Sequence, residues 1–562
     1  MIMNNIWSQG QLFAFSAWDG NSLFTQDFVG ILCGDKTAIR FFTRVKRELS
    51  LTTTSRSAMC FEAVTGDYIK IQSPDCIELI YARRNLIIGS TTERTYPVIH
   101  IEGNGETYTL DDIQVTDTGD GDFTAFCLQE NRFAFAYGSS PESAVALAKE
   151  GLTLNLQQEA KKKLSFYRAH SLADANPYAR LYNKCLSTMK TQLYSPEGNL
   201  QHMWSTPDRL PHRHCWLWDS VFHSIGWRNI SPTLAQDLIL AIFDAQDASG
   251  FIPHMFSVNY LSNITQPPVI AWGAWLVYEK SGDKAFLKTV WEQNKRFLLW
   301  CQKNRRITSR ELYTWNTEDD PNCRCGESGM DNSPRFDAQK RQLAIDFSCF
   351  MANETRYMEK IARELKINDA EFFRQWHETI CSDINEVLWC EEQGFYFDYI
   401  PEDQCFHKVS SVASFLPLFS GVCSRDQAKK LFAELINPET FYTPFPIPSI
   451  SKQDATFGSD MWRGPVWINY NYMISIGLED YGYGNLAQEI REKTVYFLNY
   501  WYNKKGTIFE FYDSENTAAP NELNRKGPPL EPYNFEVRYQ SIRDYGWSNT
   551  LLLDLLHNHF QS

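Results

Sequence analysis

The sequence predicts an all-α (α/α)6 barrel preceded by an N-terminal antiparallel β-sandwich domain, and three observations carry that expectation. Short β-rich runs separated by turn signals fill the first 140 residues. Helix-like stretches then recur almost to the end of the chain from about Asn176. Between them stand loops of very unequal length, and the long ones collect the unusual residues, as they would if alternate helices walled a pit with its mouth at one end. The chain therefore divides into residues 1–140 as the sandwich, 141–175 as a helical linker and 176–562 as the barrel.

The strand runs are Phe28–Leu32, Tyr68–Ile71, Leu86–Gly89 and Phe123–Leu128, punctuated by Asp111-Asp112 and Gly119-Asp120-Gly121-Asp122. From Pro141 to Tyr167 a Lys- and Gln-rich segment reads as one long helix capped by Ser140. Later helices are expected at 177–194, 232–247, 268–280, 284–304, 338–364, 368–388, 410–420, 425–436, 465–482, 485–503 and 541–558. Long loops at 203–219, 251–267, 306–337, 437–464 and 505–540 separate them. An α-solenoid would show a fixed period, and none is visible; an irregular helical domain is the remaining alternative.

Composition narrows the function. Hydrophobic residues are 43% and charged residues 22%, ordinary values for a folded protein. The net charge of -14 argues against a nucleic-acid partner, which demands clustered Lys and Arg. The first residues, Met1–Ser8, show no basic region followed by an apolar run, and no stretch approaches the length of a membrane span. Fourteen Cys are scattered, several in apolar segments (Cys33, Cys60, Cys127, Cys349, Cys381), which suggests buried free thiols and a cytoplasmic location. Cys323 and Cys325 form the one close pair, without nearby partners at zinc spacing, so no metal or cofactor is expected. The 17 Trp, 27 Tyr and 37 Phe suit a large core and equally a site that stacks the flat faces of sugars.

Sugar hydrolysis needs two carboxyl groups, one to protonate the leaving oxygen and one to activate water or attack. Four segments place a carboxylate among Trp, Gly and polar residues. In Trp216-Leu217-Trp218-Asp219-Ser220, a carboxylate beside two indoles would be costly to bury without hydrogen-bond donors such as sugar hydroxyls. The alternative is a helix start capped by Asp219. In Glu327-Ser328-Gly329-Met330-Asp331-Asn332-Ser333-Pro334-Arg335, Asp331 sits at a fixed non-helical position; the alternative is a turn before a helix. In Trp462-Arg463-Gly464-Pro465-Val466-Trp467, Arg463 could bind hydroxyls or orient a carboxylate; the alternative is an aromatic-packed helix entry. In Ile508–Asp513 strand-like alternation puts Glu510 and Tyr512 on one face; the alternative is a small hairpin with a solvated Glu510.

Taken in this order, and with Gln266-Pro267-Pro268, Ala271-Trp272 and Tyr545-Gly546-Trp547-Ser548, these segments resemble glycoside hydrolase family 63, related to trehalases, over residues 176–560. The resemblance implies an (α/α)6 barrel, an inverting mechanism without metal and a small α-glycoside substrate, an α-glucoside first. It implies Asp331 as general acid, Glu510 as general base, and a sugar pocket of Trp216, Trp218, Asp219, Gln266, Trp272, Trp462, Arg463 and Trp547. Two departures surround the acid: Gly326 and Phe336 stand where members of the family often carry Trp. An inverting disaccharide phosphorylase and a non-catalytic carbohydrate-binding protein are the alternative functions.

Overall fold

The computed structural model describes residues 12–31, 38–42, 48–53, 60–73, 75–92, 97–101, 106–119, 121–210, 212–526 and 540–560. Met1–Ser8, Leu32, Cys33 and the side chain of Cys60 lie outside that description.

Thirteen strands lead: β1 (Leu12–Ala14), β2 (Val29–Ile31), β3 (Ala38–Phe42), β4 (Glu48–Thr53), β5 (Cys60–Val64), β6 (Tyr68–Ser73), β7 (Asp75–Arg83), β8 (Leu86–Thr91), β9 (Pro97–Ile101), β10 (Thr107–Leu110), β11 (Ile113–Asp117), β12 (Phe123–Gln129) and β13 (Arg132–Gly138). They form two antiparallel sheets, of order β1-β2-β3-β4-β9 and β10-β11-β12-β13-β8-β7-β6-β5. Period-two alternation gives the larger sheet two apolar faces. Ile69, Ile71, Ile77, Leu79, Ile87, Phe133 and Phe135 face Phe13, Phe15 and Phe28. Ile80, Leu86, Ile88, Ala134 and Ala136 face the first two helices.

Those helices are α1 (Pro141–Thr153) and α2 (Leu156–His170), in place of the single long helix expected from Pro141 to Tyr167. Ser140 does cap α1, in a capping box with Ser143. Leu154, however, turns extended with ψ 142°, and its carbonyl accepts a bond from Arg132. Asn155 then caps a new helix through the Gln158 N–H.

The remaining helices are α3 (Ala179–Thr191), α4 (Leu217–Trp227), α5 (Pro232–Phe243), α6 (Ile270–Ser281), α7 (Lys284–Asn304), α8 (Ile345–Leu365), α9 (Ala370–Val387), α10 (Leu416–Ser420), α11 (Arg425–Leu435), α12 (Ile468–Asp480), α13 (Gly484–Lys505) and α14 (Gly546–His559). The molecule is thus mostly helical, with a large antiparallel sheet region. Helix α4 packs on α6, α6 on α8, α8 on α10, α10 on α12, α12 on α14, and α14 again on α4. Helices α3, α5, α7, α9 and α13 pack against members of this closed circuit. Helix α4 is buried along its whole length, whereas α7 buries one face and exposes the other.

Trp272 belongs to the centre of this packing. It is fully buried on α6, edge-on to Phe222 and Phe419, so it fills the core and does not line a pocket. The N-terminus of α6 has no side-chain cap of its own; Glu354 of α8 supplies one, accepting from Ala271 N (2.8 Å), Trp272 N (3.1 Å) and Asn294 Nδ2 (2.7 Å). Burial pushes the Glu354 carboxyl up to about 7, against the bonds that favour its ionised form. The folded chain then keeps this proton to higher pH than the unfolded chain. The contribution is stabilising at low pH and is lost as pH rises from about 4.5 to about 7, by roughly 3 kcal/mol. Glu354→Gln should remove that slope. Melting temperatures of the variant minus those of the wild type should rise from pH 5 to pH 7.5.

The sheet region is fastened to the helices by buried polar contacts. Arg209, fully buried, donates to Asp27 Oδ2 (2.9 Å), Phe15 O (2.8 Å) and Thr191 O (2.7 Å). Lys190 pairs with Asp19 (2.8 Å) and Asp67 (2.6 Å). Leu12 N donates to Asp544 Oδ2 (2.5 Å), and Lys184 of α3 pairs with the same carboxylate.

Candidate active site

All five long loops meet at one cavity of about 610 Å³, a volume suited to a small ligand. Loop 203–219 and the start of α4 bring His212, His214, Trp216, Trp218 and Asp219, and loop 251–267 brings His254, Tyr260, Ser262 and Gln266. Loop 306–337 brings Glu318, Cys323, Gly326, Gly329 and Asp331. Met461 and Trp467, then Glu510, Arg525 and Lys526, then Tyr545 and Trp547 complete the wall. A second groove, of about 840 Å³ beside α2, has both its carboxylates spent in ion pairs: Asp19 with Lys163 (2.7 Å) and Glu159 with Lys162 (2.6 Å).

Asp331 and Glu510, 179 residues apart in sequence, line this one cavity. Glu510 is not on a strand. Its segment is extended and held by two isolated bridges, Val466 to Tyr512 and Phe509 to Arg543, and the Tyr512 hydroxyl folds back to accept from Phe509 N. Arg525 grips Glu510 with two bonds, Nε to Oε2 (2.7 Å) and Nη2 to Oε1 (3.2 Å). Arg525 Nη2 also donates to His212 Nε2 (3.1 Å). His212 Nε2 is therefore an acceptor, which assigns the ring proton to Nδ1, 2.8 Å from Asp208 Oδ2. Across the cavity, Lys526 Nζ stands 2.5 Å from Asp331 Oδ2.

Asp331 follows a tight turn made by Gly329 at φ +72°, where an added Cβ would lie 2.3 Å from the Trp218 ring. Trp218 is itself buried and edge-on to Trp547 (5.2 Å), so it has no room to yield. Gly329→Ala should therefore displace the turn carrying Asp331 and lower kcat/KM on the order of 10²-fold, read by steady-state kinetics beside a thermal melt.

Asp219 lies in the first turn of α4 and is buried, with no partner for Oδ1. Burial pushes its carboxyl well up; a bond from its own backbone opposes this, while Asp208 and Glu510 add to it. A buried carboxyl oxygen without a donor, in a cavity also lined by Trp547 with its unpartnered Nε1, is what a hydroxyl-rich ligand would satisfy. Gln266 accepts from Trp218 N (3.2 Å), so it caps α4 as well as lining the cavity. Trp216 stands part-exposed between His212 (5.6 Å) and His254 (5.1 Å).

Three of the anticipated pocket residues lie off the wall. Trp272 is in the core. Trp462 is fully buried, stacked at 3.9 Å on Trp467, which takes the cavity position in its place. Arg463 donates to Asn332 O (2.8 Å) and pairs with Asp337 (2.6 Å), so it braces the loop carrying Asp331. Of the two departures, Gly326 does line the cavity, where a Cβ would meet Glu318 at 3.1 Å; Phe336 is buried away from it. The sequence reading missed Arg525, Lys526, His212, His254 and Glu318. A paired Arg-Lys inside loop 505–540 was the only available signal. Among the supposedly buried thiols, Cys349 is buried, while Cys127 and Cys381 are half-buried.

Residues 212–548, more than half of the chain, match the mannosylglycerate hydrolase MGH1-like glycoside hydrolase domain. The chain belongs to that family, within glycoside hydrolase family 63. It is 26% identical over 399 residues to mannosylglycerate hydrolase MGH1 of Selaginella moellendorffii, an alignment covering 56% of this chain and 78% of that one. It is 29% identical over 418 residues to the mannosyl-oligosaccharide glucosidase of Saccharomyces cerevisiae, covering 60% of this chain and 50% of the yeast enzyme. Among solved structures, the family 63 mannosylglycerate hydrolase of Thermus thermophilus in complex with Tris superposes with TM-score 0.54 at 23% identity, over 66% of this chain and 99% of that one. A bacterial glucoamylase complexed with acarbose gives TM-score 0.64 at 11% identity, over 100% of this chain and 96% of that one, so the likeness of fold extends through the sheet region. This family 63 member is a glycosidase, related to the trehalases.

Proposed function

We propose that this glycosidase hydrolyses a small α-glycoside with inversion, Asp331 delivering a proton to the glycosidic oxygen while Glu510 deprotonates the attacking water. The observation that carries the reading is that both carboxylates line one small cavity, together with a buried carboxyl oxygen and an indole N–H that have no partner. Single displacement requires the two carboxyl groups to stand about 6.5–9.5 Å apart across the sugar, with the water between base and anomeric carbon. Asp219 and Trp547 hold hydroxyls in this reading, and Trp216, Trp218 and Trp467 exclude water and offer a stacking face. The closed circuit of α4, α6, α8, α10, α12 and α14 supports an (α/α)6 barrel over 176–562, behind a β-sandwich over 1–140 and a helical linker over 141–175.

The substrate is an α-glucoside or α-mannoside of low molecular weight. Relatives named mannosylglycerate hydrolase and mannosyl-oligosaccharide glucosidase support both sugars. Free thiols at Cys185, Cys301, Cys349 and Cys423 fit a reducing, cytoplasmic setting, and no helix among the described residues is long and apolar enough to cross a membrane. The deciding experiment is an anomer-resolved NMR assay with trehalose, kojibiose, nigerose, glucosylglycerate and mannosylglycerate. Initial release of the β-anomer from one of them supports inversion and names the substrate. Initial release of the α-anomer overturns the mechanism, and turnover only in the presence of phosphate makes the protein a phosphorylase.

A further inference from the structure

Adjacent residues of one loop hold the two carboxylates: Arg525 on Glu510 and Lys526 on Asp331. The two contacts differ in kind. Arg525 is buried and grips Glu510 through two nitrogens, while Lys526 meets Asp331 through its single ammonium, which also bonds Cys323, with 18% of its side chain accessible. The backbone around them is anchored without the lysine side chain: Asn524 O accepts from Met461 N (3.1 Å), and Asn524 N donates to Ser459 O (3.0 Å). Lys526 itself is in the left-handed region, at φ 56°.

We propose that Lys526 is the displaceable counter-ion of Asp331: it occupies the carboxyl oxygen in the empty site, and the leaving-group oxygen of the substrate takes its place. This rests on Asp331 being the general acid. A general acid must carry a proton when the substrate is bound, and an ammonium 2.5 Å away favours the carboxylate instead. The other groups facing Asp331 do not supply that charge. Burial holds His254 down at about 4 and Cys323 up at about 12, and Glu318 is raised by burial and by Asp331 itself, so none of the three adds a cation near neutral pH. Arg525 is committed to Glu510 and His212. Lys526 is therefore the cation in contact with Asp331 among the described residues, and it acts as a positioning residue rather than a catalytic one.

The test is kcat/KM against pH for the full-length wild type, Lys526→Met and Lys526→Arg, on whichever glycoside the wild type hydrolyses. If the ammonium is the counter-ion in the empty site, its loss should move the alkaline limb of the Lys526→Met profile to higher pH. Lys526→Arg should restore the wild-type limb. An unmoved limb in Lys526→Met, or an arginine variant that behaves like the methionine one, overturns the inference while leaving the hydrolase reading intact. Absence of turnover by the wild type overturns the hydrolase reading, and this inference with it. A second measurement does not depend on the lysine variants folding: acetic anhydride labelling of Lys526, quantified by peptide mass spectrometry. Labelling should be at least about fivefold faster in Asp331→Asn than in wild type, normalised to the other lysines, and equal rates count against the ion pair.

Discussion

Asp331→Asn should lower kcat/KM on an unactivated glycoside by roughly 10²–10⁴-fold, the contribution typical of a positioned general acid. The loss should shrink sharply on an aryl glycoside whose phenolate leaves without protonation, because no proton has to be delivered there. Asparagine keeps the size of the side chain, so the Gly329 turn and the neighbouring Asn332 contacts with Trp462 and Arg463 should survive. Ligand affinity, measured by calorimetry with the sugar product, should change little. A variant equally crippled on both substrate classes would place the defect in geometry, and one with near-normal rates would remove Asp331 from the mechanism.

Glu510→Gln should fail differently. Water must be deprotonated whatever the leaving group, so activity should fall by about 10³-fold or more on activated and unactivated substrates alike. The same comparison separates the two carboxylates without any structural assumption: leaving-group dependence belongs to the acid, and its absence to the base. The amide also breaks the charge complement of Arg525, a fully buried guanidinium, so a drop in melting temperature should accompany the kinetic loss. If phosphate restored turnover to Glu510→Gln, the phosphorylase alternative would replace hydrolysis.

The sequence signalled the helices that keep a polar face. Helix α7 lies at 284–304 as its pattern indicates, because solvent on one side imposes the 3.6-residue period. Helix α4 entered the reading only as the alternative of a helix start at Asp219: every residue from Leu217 to Trp227 is buried, so its polar residues Asp219, Ser220, His223 and Ser224 mark no solvent face. The break at Leu154 was signalled locally by Gly151, Thr153 and the Asn155 cap three residues before Gln158, and it is fixed by Arg132 on the Leu154 carbonyl. At the site, local motifs marked Asp219, Asp331 and Glu510 because their immediate neighbours are unusual. They could not distinguish Trp467, which lines the cavity, from Trp462 stacked behind it, since both stand in one aromatic motif. Arg525 and Lys526 acquire meaning only through partners 15 and 195 residues away.

The contact between Leu12 and Asp544 spans 532 residues of sequence. On a ribosome adding roughly 5–20 residues per second, the first strand waits about 30–100 s for its partner. Lys184 waits for the same carboxylate, and α3, α4 and α12 wait for α14, the last of the described helices in chain order. Until then a lysine destined for full burial has no counter-charge, and three apolar helix faces have no cover. Closure of the helical circuit is thus a late step of synthesis, gated by the arrival of α14.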